Sequence, residues 1–422
     1  MTNDVQKIYE EALNKFVYTD KDLAKVEEFM KKVKEILDNE VKNLKLDVEV
    51  FLGGSAAKRT FSKQFDLDVF IRFKRLKKNL SDKCELILKN LKQKKIIIDY
   101  DKIHGSRDYF KTFIDGIKIE IVPIKYINFP EEAENITDVS PFHVNWFKSV
   151  SNEKICKDVV LLKTFLKANR LYGAETFRKG ISGYVCEILV VYFGSFIKVI
   201  EFLSNTKKDI VIDLERYYDS KTYEEVVKIL GESKKGPLIV IDPLDKNRNA
   251  AAAFSYENFE KLKQVCKNFL QNPSIDFFNK KPLLNLEKPF YYFKLKMPKG
   301  NDDATSTYLV VYFKKLYNFL KEKDFEPELM EYDFDFDKRI AEFVIKAKKN
   351  LDRIKIIKGP PLYLSEDVAN FKRKYSLTFE ENSRIYGKVE RELVDSEDAI
   401  KLFLENHKLK DDFSLIEFTY FN

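Results

Sequence analysis

Sulfur, histidine and the flexible residues are scarce in this chain of 422 residues: it holds four cysteines, three histidines, 13 glycines, 12 prolines and one tryptophan. Cys84, Cys156, Cys186 and Cys266 sit at no CxxC spacing and join no compact histidine cluster. They read as reduced structural thiols, which argues against a disulfide framework or a sulfur-ligated zinc. With 44% apolar and 34% charged residues, the composition is neither collagen-like nor disordered. No apolar run reaches the roughly 18 residues of a bilayer-spanning helix, and MTNDVQKIYEEALNKF lacks the apolar stretch of a secretion signal. A cytoplasmic protein without a membrane partner is expected. Neither GKS/GKT nor GxGxxG occurs, which removes P-loop ATPases and Rossmann redox enzymes. Charge is of no dominant sign: 75 Lys and Arg against 68 Asp and Glu leave a net +7, which permits nucleic-acid binding without demanding it.

Aromatic residues are plentiful instead, 36 Phe and 22 Tyr, flat surfaces suited to core packing or to stacking on bases. The length predicts two to three domains. Apolar residues recur at spacings of three and four from Leu23 to Leu44, which predicts one long helix over 20–44. VEVFLGG follows as a strand ending in a glycine turn, then a short helix near Ser55, strand FDLDVFIRF, a helix from about Ser81 and strand KIIIDY at 95–100. Asp115-Gly116 between two apolar-rich segments predicts a two-residue hairpin. Residues 1–145 thus form a mixed α/β domain, and 146–275 a mainly helical one with an extended PLIVIDP between Pro237 and Pro243. Residues 276–422 are mixed again, with PFYYFKLKM and KRKYSLTFEE as strands and RIAEFVIKAKKNLDRI as a helix.

The sharpest chemistry lies in GGSAAKRTFSKQFDLDVFIRF. Strand alternation puts Asp66 and Asp68 on the same side, about 7 Å apart along the strand. Two such carboxylates repel unless a hard cation such as Mg²⁺ turns repulsion into coordination. A DxD on an exposed strand is otherwise ordinary, so the context matters. Gly53 and Gly54 allow close backbone approach to a polyphosphate, and Ser55 supplies a hydroxyl at a helix start, although a turn and cap would use the same residues. Glu120, between Ile119 and Ile121 on the second hairpin strand, offers a third carboxylate. Together the three suit two-metal nucleotidyl transfer, in which cations activate an attacking 3′-hydroxyl and neutralise the leaving pyrophosphate.

These segments, with TDVSPFHVNWF, LLKTFLKANRLYGAE, GISGYVCEILVVYFGSF and IDPLDKNRNAAAAFS, resemble the archaeal-type (class I) CCA-adding enzymes of the polymerase-β-like nucleotidyltransferase superfamily over about 20–275. The resemblance implies a multidomain α+β protein with a catalytic nucleotidyltransferase head at 1–145. It implies a helical nucleotide-selecting neck at 146–275 and a tRNA-binding body and tail at 276–422. It implies Asp66, Asp68 and Glu120 as metal-binding catalytic acids, where relatives often carry glutamate first and aspartate third. Ser55, Lys58 in place of the relatives' arginine, Lys163 and Tyr172 would meet the triphosphate. His143 would lie near the incoming nucleotide, and Arg248 would select its base. The substrates would be tRNA, CTP and ATP, the cofactor Mg²⁺, and a homodimer stays open. A poly(A) or oligoadenylate polymerase on the same head and a non-catalytic RNA-binding protein are the alternatives.

Overall fold

The computed structural model describes residues 3–63, 65–75, 79–105, 107–207 and 209–422. The chain divides into two compact units, Met1–Lys281 and Pro282–Asn422.

The first unit opens with helices α1 (Asn3–Phe16) and α2 (Asp20–Asn43). Thr19 starts α2 through a capping box: its hydroxyl accepts from the Asp22 amide, and the Asp22 carboxylate accepts from the Thr19 amide. The stripe Val26, Phe29, Val33, Leu37 and Val41 is buried, as its spacing predicts. Next come β1 (Val48–Gly53), the one-turn α3 (Gly54–Ala57), β2 (Leu67–Phe73), α4 (Leu80–Gln93), β3 (Tyr100–Ile103), β4 (Tyr109–Ile114) and β5 (Ile117–Lys125). They form one sheet in the order β1-β2-β5-β4-β3, antiparallel except for the parallel β2–β5 pair. The register sets Gly53, Asp68, Glu120 and Lys111 side by side across four strands. Between β4 and β5, Asp115 and Gly116 adopt φ of 51° and 76°, the left-handed pair of a tight hairpin.

Helices α5 (Ser140–Val150), α6 (Glu153–Ala168), α7 (Gly183–Phe193) and α8 (Phe196–Asn205) follow, then β6 (Ile210–Ile212), α9 (Tyr223–Leu230), β7 (Leu238–Asp242), β8 (Asp245–Asn249) and α10 (Tyr256–Gln271). One continuous apolar core runs from Val5 to Phe278 and joins the five-stranded sheet to α6, α7, α8 and α10. A small β6-β7-β8 sheet, with α9 packed on it, has its own core around Val226, Ile239 and Ile241.

In the second unit, β9 (Phe290–Lys296), α11 (Asp302–Glu322), β10 (Leu329–Asp335), β11 (Ile340–Lys346) and β12 (Ile354–Pro361) come first. They are followed by α12 (Ser365–Lys374), β13 (Leu377–Glu381), β14 (Arg384–Glu390), α13 (Ser396–Asn406) and β15 (Ser414–Phe421). Two sheets result, β10-β11-β9-β15 and β12-β14-β13.

Four local expectations change. RIAEFVIK is strand β11, not a helix: it is hydrogen-bonded to β10 and β9 on both sides, and Ala341, Phe343, Val344 and Ile345 are all buried. An apolar run this short, broken only by Glu342, carries no period that separates strand from helix. KIIIDY is a turn reaching the sheet only at Tyr100, because Lys95 takes a left-handed φ of 58° and Ile98 stays 93% exposed. The KRK of KRKYSLTFEE closes α12, and the strand starts at Leu377. Asp66 precedes β2 rather than lying on it.

Candidate active site

The carboxylates gather at the start of β2. Asp68 and Glu120 are directly paired in the parallel β2–β5 register. Gly54, at φ 62°, lies against Asp68 so closely that a Cβ there would stand 1.7 Å from its Oδ2. A Cβ on Gly53 would meet the Phe70 ring at 2.3 Å. The glycine pair is therefore required by the DLD strand itself, a closer reason than room for a polyphosphate. The Lys118 Nζ sits 2.9 Å from Glu120 Oε1 and 3.7 Å from Asp66 Oδ2, and Lys111 reaches Glu120 at 3.9 Å. Burial, then the neighbouring charges of Asp66 and Glu120, push the Asp68 carboxyl up to about 7 against the pull of Lys58 and Lys118.

Among the described residues, no group of three or more His, Cys, Asp or Glu side chains is close enough to hold a metal ion. The donor set nevertheless fits a hard divalent cation: carboxylate oxygens only, two of them on paired strand positions, with a lysine ammonium now bridging Asp66 and Glu120.

A second cluster lies where α3, α6 and α7 meet. Glu187 of α7 is fully buried, with Lys58 Nζ 2.6 Å from Oε2 and Lys163 Nζ 3.0 Å from Oε1. Lys163 also donates to Thr60 Oγ1 at 2.9 Å. Burial would raise the Glu187 carboxyl, but the Lys58 and Lys163 ammoniums win and hold it below its usual range. Lys167, one turn beyond Lys163, places its ammonium 4.9 Å over the Tyr172 ring, and burial followed by the Lys163 charge lowers its affinity for a proton. Burial drives the Tyr172 phenol up, with Cys186 and Glu187 adding to it. Ser55 lies in α3, half-buried.

The third cluster is built on Asp242, at the end of β7 and 1% exposed. It accepts from the Tyr184 hydroxyl at 2.8 Å, the Leu244 amide at 2.9 Å and Arg248 Nη1 at 2.5 Å, and His143 Nε2 lies 3.4 Å away. Burial opposes its charge, yet His143, the Leu244 amide and Tyr184 together bring the carboxyl down to about 2. The His143 and Tyr184 rings lie 4.1 Å apart. Arg248, on β8, lines a cavity of about 510 Å³ with Asp242, Tyr217 and Ile136. Helix α7 joins the two clusters, since Tyr184 and Glu187 are three residues apart on it.

The structure thus brings Lys58 and Lys163 together on one carboxylate and His143 and Arg248 together on another. Sequence reasoning missed Thr60, Glu187, Lys167, Tyr184 and Asp242. GISGYVCEILVV gave one available signal, an acid inside a long apolar helix, which demands a buried cation.

Residues 30–143 match the nucleotidyltransferase domain family, and residues 157–279 match the family described as tRNA nucleotidyltransferase, second domain. A cytoplasmic RNA terminal U-transferase superposes at TM-score 0.50 with 11% identity, over 67% of this chain and 100% of that one. The Cid1 poly(U) polymerase bound to MgATP does so at 0.51 with 12% identity, over 66% and 98%. The fold is therefore that of the polymerase-β-like nucleotidyltransferases, with mixed α and β content. The CCA-adding enzyme of Nanoarchaeum equitans is 34% identical over 342 residues, 80% of this chain and 83% of that protein. That of Methanocaldococcus jannaschii is 30% identical over 406 residues, 92% and 88%. The chain belongs to the CCA-adding enzyme family. It is a tRNA nucleotidyltransferase, an enzyme of tRNA processing whose activity is addition of CCA to the tRNA 3′ end. Nucleotidyltransferases of this kind generally use divalent metal ions. Among the described residues no helix is long and apolar enough to cross a membrane.

Proposed function

We propose that CCA addition runs without a nucleic-acid template, one nucleotide at a time from CTP and ATP, through the three clusters above. The 3′-oxygen of tRNA attacks the α-phosphate; the new O–P bond forms as the bond to the β-phosphate bridging oxygen breaks, pyrophosphate leaves, and the hydroxyl proton is lost. Asp66, Asp68 and Glu120 would hold Mg²⁺, with Glu120 on the side of the attacking hydroxyl. Bound there, the cation supplies Lewis acidity toward the hydroxyl and the triphosphate. Ser55, Lys58, Lys163 and Tyr172 would face the triphosphate, joined by Lys167. Arg248 and His143 would meet the incoming nucleotide, with the guanidinium fork reading the base.

The observation that carries this reading is the direct register pairing of Asp68 with Glu120, at a place where burial first, and then the charges of Asp66 and Glu120, lift the Asp68 carboxyl to about 7. In the proposed division, residues 1–145 are the catalytic head, 146–275 the helical neck and 276–422 the tRNA-binding body and tail. The reaction is proposed to run in the cytoplasm. The test supplies CTP or ATP singly to tRNAs lacking one, two or three terminal nucleotides. Ordered C, C, A incorporation supports the reading; ATP incorporation at every end, continuing into a tail, would replace it with poly(A) synthesis.

A further inference from the structure

We infer that Glu187 is the positioning residue of the triphosphate site, each of its two carboxylate oxygens holding one lysine ammonium so that both face a single anion. This rests on the reading above in which Lys58 and Lys163 meet the triphosphate.

One buried carboxylate needs one cation. Here it has two, Lys58 at 2.6 Å and Lys163 at 3.0 Å, with the Thr60 hydroxyl 3.3 Å from Oε1. The Thr60 hydroxyl therefore accepts from Lys163 while facing the same oxygen. The group carries a net positive charge, and its order of burial says where that charge is directed: the Glu187 side chain is 0% exposed, that of Lys163 9% and that of Lys58 11%. The carboxylate stands behind the ammoniums: Lys58 keeps donors for a further acceptor, and the Lys163 donor now spent on the Thr60 carbonyl, at a long 3.4 Å, is the one a closer acceptor would take. Lys58 also acts on Asp68 across the short α3 turn, so the same lysine ties this cluster to the catalytic acids. Lysine here, unlike arginine, is a point charge on a flexible stem and depends on a fixed counter-charge for its direction.

Replacing the carboxylate by an amide leaves one acceptor oxygen for two cations. Glu187→Gln is therefore expected to weaken CTP and ATP binding by the same factor, roughly tenfold. The rate at nucleotide saturation should stay within about threefold of wild type and tRNA affinity should not change, a split that general loosening of the fold would not produce. Glu187→Asp, which keeps the charge, should recover most of the loss. Since Glu187 acts through the lysines, Glu187→Gln should cost CTP binding less on a Lys58→Met background than on wild type, about threefold, because only Lys163 is left to loosen. That comparison stands even if Glu187→Gln by itself fails to fold, because the double variant removes one cation with the anion. A double variant tenfold weaker than Lys58→Met, or a folded Glu187→Gln with wild-type CTP affinity beside a weakened Lys58→Met, overturns the inference alone. Lys58→Met with wild-type CTP affinity overturns the triphosphate reading of Lys58 and the inference with it.

Discussion

Asp68 concentrates the chemistry of the site in one ionisation. Its folded-state carboxyl near 7 lies above the ordinary value of about 4, so between these two the native protein holds a proton that the unfolded chain has lost. Stability from this group is present below about pH 4 and declines as pH rises to about 7, the reverse of a salt-bridged aspartate. In metal-free protein, Asp68→Asn is expected to flatten that decline and, by calorimetry at pH 8, to be more stable than wild type by about 1–3 kcal/mol. The same variant should lose addition by roughly 100-fold or more, because the carboxylate that would hold the cation is gone. A variant with the wild-type pH slope, or with near-normal turnover in Mg²⁺, would contradict the assignment.

At the scale of elements, two glycine turns position the acids in different ways. Gly116 and Gly54 both have positive φ, 76° and 62°, but nothing lies within 4 Å of a Cβ built on Gly116, whereas Asp68 Oδ2 lies 1.7 Å from one on Gly54. Gly116→Ala therefore costs only the left-handed backbone, about 1–2 kcal/mol, and should lower Tm with turnover intact. Gly54→Ala adds a collision with the Asp68 carboxylate and should depress turnover out of proportion to its Tm. Equal effects of the two on turnover would remove the special role of the β1–α3 turn.

For the whole molecule, the chain divides at Lys281/Pro282 into two compact units. Every residue of the three clusters lies in the first unit, whose core closes on itself from Val5 to Phe278. The second unit carries the basic α12 terminus Lys372, Arg373 and Lys374, suited to phosphate contacts. Removing residues 282–422 should leave a folded protein that binds CTP with little change and tRNA at least about tenfold more weakly, measured by filter binding. Undiminished tRNA affinity in that truncation would move RNA recognition into the first unit.

By itself the sequence determined what neighbouring residues can specify: the α2 stripe, the Asp115-Gly116 hairpin, the extended PLIVIDP segment and the strand places of Asp68 and Glu120. Each is encoded within a turn or a strand, where period and turn chemistry act directly. The family was legible for the same reason, in short motifs such as GGS and DPLDKNRN. Strand β11 was not, because IAEFVI is too short to separate strand from helix until β9 and β10 pair with its edges and Phe313 of α11 stacks on Phe343. Tertiary structure alone decided the partners of the charged groups. Lys58 meets Glu187 across 129 positions and Tyr184 meets Asp242 across 58. A buried charge must find its counter-charge wherever the packed core delivers one, and no local period records that distance.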